Sequence, residues 1–173
     1  DEINAMQQLK GQGRAPDFLD MGTSFAITAT TDGLLAPYKV TSWDDIPTAE
    51  KDADGHWFDD YGGYIAIGYD SKKVTDPPTS FADLEKPAYK NEVAINGNPT
   101  QASAAFSAVY AAALANHGSF SNIQPGIDYF KKLHQLGNFV PVTASAATVQ
   151  SGQTPVVVGW DYLLASEVSA TDP

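Results

Sequence analysis

Two apolar segments that lie far apart in this chain share one pattern. Residues 63–70 and 155–162 each contain a short apolar run with β-branched residues, bounded by glycine and aromatic side chains. This pattern predicts two strands that are buried on both faces. Strand-like and helix-like patterns alternate between them, which indicates a compact α/β lobe. We therefore expect two neighbouring strands to enter and leave this lobe, an arrangement that favours closure over a small molecule.

Helical spacing predicts the other elements of the lobe. Apolar residues over 102–114 fall on one face of a helix, for which Asn98 and Pro99 are the expected N-cap and first residue. A strand is predicted over 92–96. One short helix is predicted to begin at residues 79–80 and to end before Lys86-Pro87, and another is predicted over 145–150. A second long helix is predicted over 125–136 and is ended by Gly137. Its expected buried stripe is Ile127, Phe130 and Leu133.

The first sixty residues predict a less regular arrangement. Residues 17–21 are apolar enough for a strand, and a helix is expected from about Phe25 to Thr31, with Gly33 as its stop. Residues 52–57 share their Asp and Gly positions with the start of a calcium loop, but the later ligands of such a loop are missing. A plain hairpin turn is therefore the favoured interpretation.

Composition excludes several classes of function. The chain has 173 residues, 43% of them hydrophobic, which is enough for a substantial core. A net charge of −11 argues against binding to nucleic acid or anionic lipid, both of which favour basic proteins. Cysteine is absent, so disulfides, thiolate zinc sites and thiol nucleophiles are excluded. No apolar run is long enough for a membrane span.

The turn after the predicted strand over 92–96 is one candidate binding site. A strand that leads into a helix aims backbone N–H groups and a positive dipole end at one point, where small anions bind. Thr100, Gln101 and Ser103 could add side-chain donors to this site. The alternative is that Asn98 only caps its helix.

The segment after the last predicted strand is a second candidate. Asp161 lies between Trp160 and Tyr162, and a carboxylate with ring faces suits an ammonium group or a polyol. The alternative is that the rings pack structurally while Asp161 caps a helix. Tyr61 and Tyr64 flank the other crossing segment, where the paired glycines Gly62 and Gly63 permit a hinge. Thr23 and Ser24 offer hydroxyl groups after residues 17–21, although alone they are a weak signal.

Enzyme signatures are not found in the sequence. The three histidines, His56, His117 and His134, have no neighbours at the spacing of metal ligands. The chain contains no nucleophile elbow, no phosphate-binding loop with lysine and no dinucleotide fingerprint. We therefore expect no catalytic residues, no metal and no cofactor. A hydrolase or transferase that uses the same cleft is the alternative from another class, since catalytic triads assemble from distant residues. A structural or interaction domain is a third.

Several motifs together resemble bacterial extracellular solute-binding proteins of ABC importers, with the type II periplasmic-binding fold. The motifs are, in chain order, residues 17–24, residues 33–38, residues 57–69, residues 79–84, residues 86–90, Asn98-Pro99-Thr100, residues 108–116 and Trp160-Asp161-Tyr162. The resemblance implies an α/β fold of two lobes joined by two crossing strands. Residues 1–67 and 156–173 would form a partial outer lobe, and residues 68–155 the inner lobe. Family members are longer, so the outer lobe is expected to be incomplete.

The resemblance also implies a ligand, a partner and a location. The ligand would be a small charged solute held in the interlobe cleft, and an aminoalkylphosphonate combines the predicted anion site with an amine held by Asp161. A polyamine or a ferric ion is the alternative within the same fold, although the adjacent tyrosines typical of ferric binders are missing. The partner would be an inner-membrane ABC permease. The protein would be a periplasmic or extracellular monomer, lipid-anchored in a Gram-positive bacterium.

Overall fold

The chain forms two compact units, Asp1–Gly62 and Gly63–Pro173. A computed structural model describes residues 2–171, and for residues 167–171 we describe the backbone only. Both predicted crossing strands belong to the second unit. The lobe boundaries predicted above therefore differ from this division and stay a prediction, and Asp1 and residues 172–173 of the predicted outer lobe lie outside the described residues.

Among its described residues the first unit has two α-helices, α1 (Glu2–Leu9) and α2 (Thr23–Thr31), and two short 3-10 helices, Trp43–Asp45 and Thr48–Glu50. The predicted helix stop at Gly33 is confirmed, since this residue has a φ of 64° just after α2. The strand expected over 17–21 is wrong. A strand needs a neighbour that accepts and donates its backbone hydrogen bonds, and among the described residues this segment pairs with none.

The turn over 52–57 is the hairpin turn that the sequence favours. Asp52 N donates to Trp57 O over 3.0 Å, and Lys51 forms an antiparallel bridge with Phe58. The Asp52 carboxylate accepts hydrogen bonds from the backbone N and the ring Nδ1 of His56, at 3.0 and 2.8 Å. These contacts with His56 lower the pKa of Asp52. The carboxylate therefore serves the turn itself.

The second unit is built on a three-stranded sheet with the order β1-β3-β2. Its strands are β1 (Ile65–Tyr69), β2 (Val93–Ile95) and β3 (Val156–Trp160). β1 runs antiparallel to β3 in a register that pairs Ile65 with Trp160. β2 runs parallel to β3 on its other side. The predicted pairing of the two distant apolar segments is confirmed.

Four helices complete the second unit: α3 (Ser103–Ala115), α4 (Gln124–Leu136), α5 (Ala146–Ser151) and α6 (Asp161–Thr171). α4 ends at Gly137 in the left-handed conformation, as expected. Its predicted buried stripe is partly wrong, because Ile127 is 37% exposed while Tyr129 is only 4% exposed. Tyr129 packs into the core and its hydroxyl donates to the carbonyl oxygen of Phe81. Burial raises the pKa of Tyr129.

α3 and α4 make a close contact at Gly126 of α4. A Cβ atom at this position would overlap the carbonyl oxygen of Val109 in α3 and approach the backbone of Ala113. The two helix backbones therefore come close only because Gly126 has no side chain, as small-residue contacts between helices allow. This contact holds both helices against the core that the sheet buries.

A buried asparagine gives the first test of this core. Asn138 Nδ2 donates to the carbonyl oxygens of Leu84 and Lys86, at 2.7 and 2.9 Å. Asn138→Ala leaves the buried Leu84 carbonyl and the partly buried Lys86 carbonyl without this donor and should lower the free energy of unfolding by about 2 kcal/mol. Urea denaturation followed by circular dichroism measures the loss. Asn4→Ala on the exposed surface of α1 is the control and should change stability by less than about 0.5 kcal/mol.

Asp83 gives a test by pH. Its carboxylate contacts Lys86 Nζ at 2.6 Å and accepts hydrogen bonds from Thr79 N and Thr79 Oγ1. These contacts, with Lys86 the largest cause, hold its pKa well below the ordinary value of 3.8. A carboxylate whose pKa is lower in the folded state stabilises the fold at pH values above its pKa in the unfolded state. This contribution is lost as the pH falls below about 4.

Asp83→Asn should therefore be less stable than wild type at pH 6 and should lose less stability between pH 4 and pH 2. Urea midpoints across this range measure both effects. Asp128→Asn removes an exposed carboxylate and serves as the control. An unchanged acid response in Asp83→Asn would show that this carboxylate does not contribute.

Candidate functional site

The candidate site lies at one edge of the sheet in the second unit. β2 and β3 are parallel, so their carboxyl ends meet at the same edge, and the antiparallel β1 begins there. This edge therefore collects Tyr64 before β1, Asn96 after β2 and Asp161 after β3. In open α/β sheets such an edge at the carboxyl ends of the strands is where ligands bind.

A loop that the sequence does not single out also reaches this edge. Ala144 N donates to Ile95 O over 3.1 Å, and Asn96 Nδ2 donates to Ala144 O over 3.2 Å. Ser145 then caps α5 through a reciprocal capping box with Thr148. The capping pattern is local and can be found in the sequence. The contact with Asn96 is not local, and no spacing signal indicates it.

The turn after β2 differs from the predicted one. α3 begins at Ser103 with Ala102 as its N-cap, so the expectation that Asn98 caps this helix is wrong. Asn98 instead organises its own turn, because Oδ1 accepts hydrogen bonds from both N and Oγ1 of Thr100 at 2.9 Å. Its carbonyl oxygen accepts from the backbone N of Gln101 and of Ala102. These N–H groups therefore point to Asn98, and an anion at this edge would meet the start of α3 itself.

The last residue of β3 and the two residues after it form an ordered group. The rings of Trp160 and Tyr162 are stacked, with centroids 6.1 Å apart and planes inclined by 16°. Asp161 is the first residue of α6, and its Oδ1 accepts hydrogen bonds from the backbone N of Tyr64 and of Tyr162. The backbone of Tyr64 is tied to this group, and its side chain is exposed. The sequence names Tyr64 as a residue that flanks the first crossing segment, but only the pairing of β1 with β3 brings it beside Asp161.

The other three predicted site residues lie in the first unit. Thr23 Oγ1 donates to Asp59 Oδ1 over 2.7 Å, and Tyr61 OH donates to Asp20 Oδ2 over 3.3 Å. Ser24 is exposed in the first turn of α2. Thr23 also lines a cavity of about 660 Å³ within this unit, whose wall is mostly apolar. That these three residues bind the ligand stays a prediction.

Metal-binding groups and membrane-spanning helices both bear on the class of the site. Among residues 2–166, whose side chains are described, no group of three or more histidine, aspartate or glutamate side chains is placed to hold a metal ion. No helix within this range has the length and apolar character that crossing a bilayer requires. The candidate site is thus defined by backbone edges, hydroxyl groups, aromatic rings and Asp161.

Comparison with known proteins gives a clear family match. Residues 15–171 match the family described as bacterial extracellular solute-binding protein. No curated protein sequence gives a significant match. The family resemblance inferred from the sequence motifs is confirmed by this match.

Solved structures of periplasmic binding proteins share the fold. The protein AfuA of Actinobacillus pleuropneumoniae, solved with fructose-6-phosphate, superposes with a TM-score of 0.79 at 22% identity, over 99% of this chain and 55% of that chain. Iron-bound HitA of Pseudomonas aeruginosa gives 0.67 at 19% identity, over 99% and 56%. The spermidine/putrescine protein PotD of Streptococcus pneumoniae gives 0.66 at 16% identity, over 99% and 55%. At these identities the likeness shows the type II fold alone, and this chain spans about half the length of each structure.

Two glycines on neighbouring strands test how the edge is held. A Cβ atom on Gly159 would overlap Oδ1 of Asn96, whereas a Cβ atom on Gly68 would meet the flexible end of Leu164 at 3.0 Å. Gly159→Ala should therefore displace Asn96 from the carbonyl oxygen of Ala144. We expect hydrogen exchange at the Ala144 amide to rise about tenfold or more in Gly159→Ala and to change little in Gly68→Ala. Equal exchange in both variants would contradict this role of Gly159.

Proposed function

The chain belongs to the family of bacterial extracellular solute-binding proteins, and we propose that it acts in the solute receptor of an ABC importer. The proposed solute is a small organic anion of the phosphate-ester or phosphonate class. The receptor would deliver it to an inner-membrane permease from the periplasm or the extracellular side. We propose reversible binding with no covalent step, by a monomer that needs no cofactor and does not bind nucleic acid.

One observation carries the choice of an anion. α3 begins at Ser103, after the loop that leaves the carboxyl end of β2 at this edge of the sheet. A helix start presents backbone N–H groups and the positive end of the helix dipole, which favour negative charge. Ala102, the N-cap of α3, has no polar side chain with which to satisfy those N–H groups. A phosphate or phosphonate group has the oxygen atoms to accept from them.

The compounds bound by structural relatives supply three alternatives to compare. They are fructose-6-phosphate for AfuA, iron for HitA and, in the name of PotD, spermidine and putrescine. Of these, the organic phosphate agrees best with the start of α3, which has no side-chain cap. Ferric ion would use tyrosine oxygens, for which Tyr64 and Tyr162 are candidates, and a polyamine would use carboxylates such as Asp161. An aminoalkylphosphonate is a member of the proposed class that also carries the amine predicted from the sequence.

Thermal unfolding with a panel of compounds tests this function. A compound that binds only the folded state at a hundred times its Kd stabilises by about 2.7 kcal/mol, which should raise Tm by several degrees. We expect fructose 6-phosphate or 2-aminoethylphosphonate to raise Tm, whereas fructose and ethanolamine, which lack the anionic group, should have no effect.

The other results of this panel are equally informative. A rise in Tm with spermidine alone or with ferric citrate alone would contradict the anion proposal. It would favour a polyamine or a ferric ion as the ligand of the same fold. An equal rise with fructose and fructose 6-phosphate would reject the anion site. Formation of free phosphate from a bound ester would favour the hydrolase alternative over a receptor.

A further inference from the structure

Asp161 holds both backbone groups of Tyr64. Asp161 Oδ1 accepts a hydrogen bond from Tyr64 N at 3.0 Å, and Asp161 N donates to Tyr64 O at 2.9 Å. The same Oδ1 accepts from Tyr162 N at 2.9 Å. One side-chain oxygen therefore ties the residue before β1 to the first turn of α6.

Gly63 makes room for this connection. A Cβ atom at Gly63 would lie 2.6 Å from Asp161 Oδ1 and 2.7 Å from Cδ1 of Tyr162, distances at which something must shift. The ring of Tyr162 thus lies directly against the Gly63 backbone. The adjacent Gly62 has open space at the corresponding position, so it provides a matched control.

The result is an aromatic face made of the stacked rings of Trp160 and Tyr162. Tyr162 is stacked on Trp160, and Asp161 fixes the backbones of Tyr64 and Tyr162. The Tyr64 side chain is 81% exposed and that of Tyr162 is 39% exposed. Exposed aromatic rings bind the apolar faces of sugar rings and other organic groups, and this contact needs no charged group.

We propose that Asp161 is a positioning residue, whose hydrogen-bond-accepting Oδ1 arranges this aromatic face to contact the uncharged organic part of the solute. This inference rests on the proposed function and adds that the solute carries a polyol or ring beside its anionic group. The positioning role needs an acceptor atom. A neutral asparagine also supplies one, and asparagine and aspartate are about equal as caps of helix starts. The negative charge of Asp161 is not required to hold the solute.

Four variants of the full chain test the proposal: Asp161→Asn, Asp161→Ala, Gly63→Ala and Gly62→Ala. The first measurement is hydrogen exchange at the Tyr64 amide, which needs no ligand. We expect protection to be kept in Asp161→Asn and Gly62→Ala and to fall about tenfold or more in Asp161→Ala and Gly63→Ala. Equal protection in all four, or equal loss in both Asp161 variants, would overturn the positioning role.

The second measurement is calorimetric affinity for fructose 6-phosphate and for inorganic phosphate, which has no organic part. Asp161→Ala should weaken binding of fructose 6-phosphate by about tenfold and change phosphate affinity by less than about threefold. Asp161→Asn should restore wild-type affinity for both. Loss in Asp161→Asn as large as in Asp161→Ala would overturn the proposal and assign the role to charge.

The two measurements separate this inference from the proposed function. If wild type binds neither probe, the anion function and the solute contact both fail, while the exchange data still decide whether Asp161 positions Tyr64. If wild type binds both probes and Asp161→Ala binds them as well as wild type, the anion function stands and the aromatic contact is rejected.

Discussion

The antiparallel pairing of β1 with β3 is the contact on which the second unit depends. It joins Ile65 to Trp160, two residues separated by most of the length of the unit. Closing such a long loop is entropically unfavourable, and the buried apolar residues of both strands offset that cost. Because β2 lies on the other side of β3, this pairing also determines which strand ends lie at the same edge of the sheet. Without it, Tyr64 and Asp161 would have no reason to meet.

Three close contacts then depend on the absence of a side chain. Gly126 lets α4 approach α3, Gly159 lets Asn96 lie over β3, and Gly63 admits the ring of Tyr162. Each brings a polar or aromatic group closer to the backbone than any other residue would allow. Two of the three, Gly63 and Gly159, lie at the edge where the binding site is proposed. The shape of that edge therefore depends on the lack of a side chain at Gly63 and Gly159 as well as on the side chains that face solvent.

The sequence predicted those features that arise from local or repeated patterns. The strands β1 and β3 and the stop of α4 at Gly137 follow from apolar runs and glycine chemistry, and all are confirmed. The start of α3 could not be predicted in this way, since Asn98 is equally suited to a helix cap and to a turn that it organises itself. Residues 17–21 have the composition of a strand, but composition does not supply a partner. The contact of Tyr64 with Asp161 could be found only through strand register.

The net negative charge of the protein should repel an anionic solute. This repulsion acts over long distances, whereas the proposed binding contacts act at short range. The net charge of −11 is spread over the whole chain, and its repulsion is screened beyond about 8 Å at physiological ionic strength. Hydrogen bonds from the start of α3 act at contact distance, where screening is weak. Affinity would then come from the local backbone, while the overall charge slows the approach of the anion. Discrimination among anions would fall to the uncharged neighbours, and at this edge those are the aromatic side chains that Asp161 holds in place.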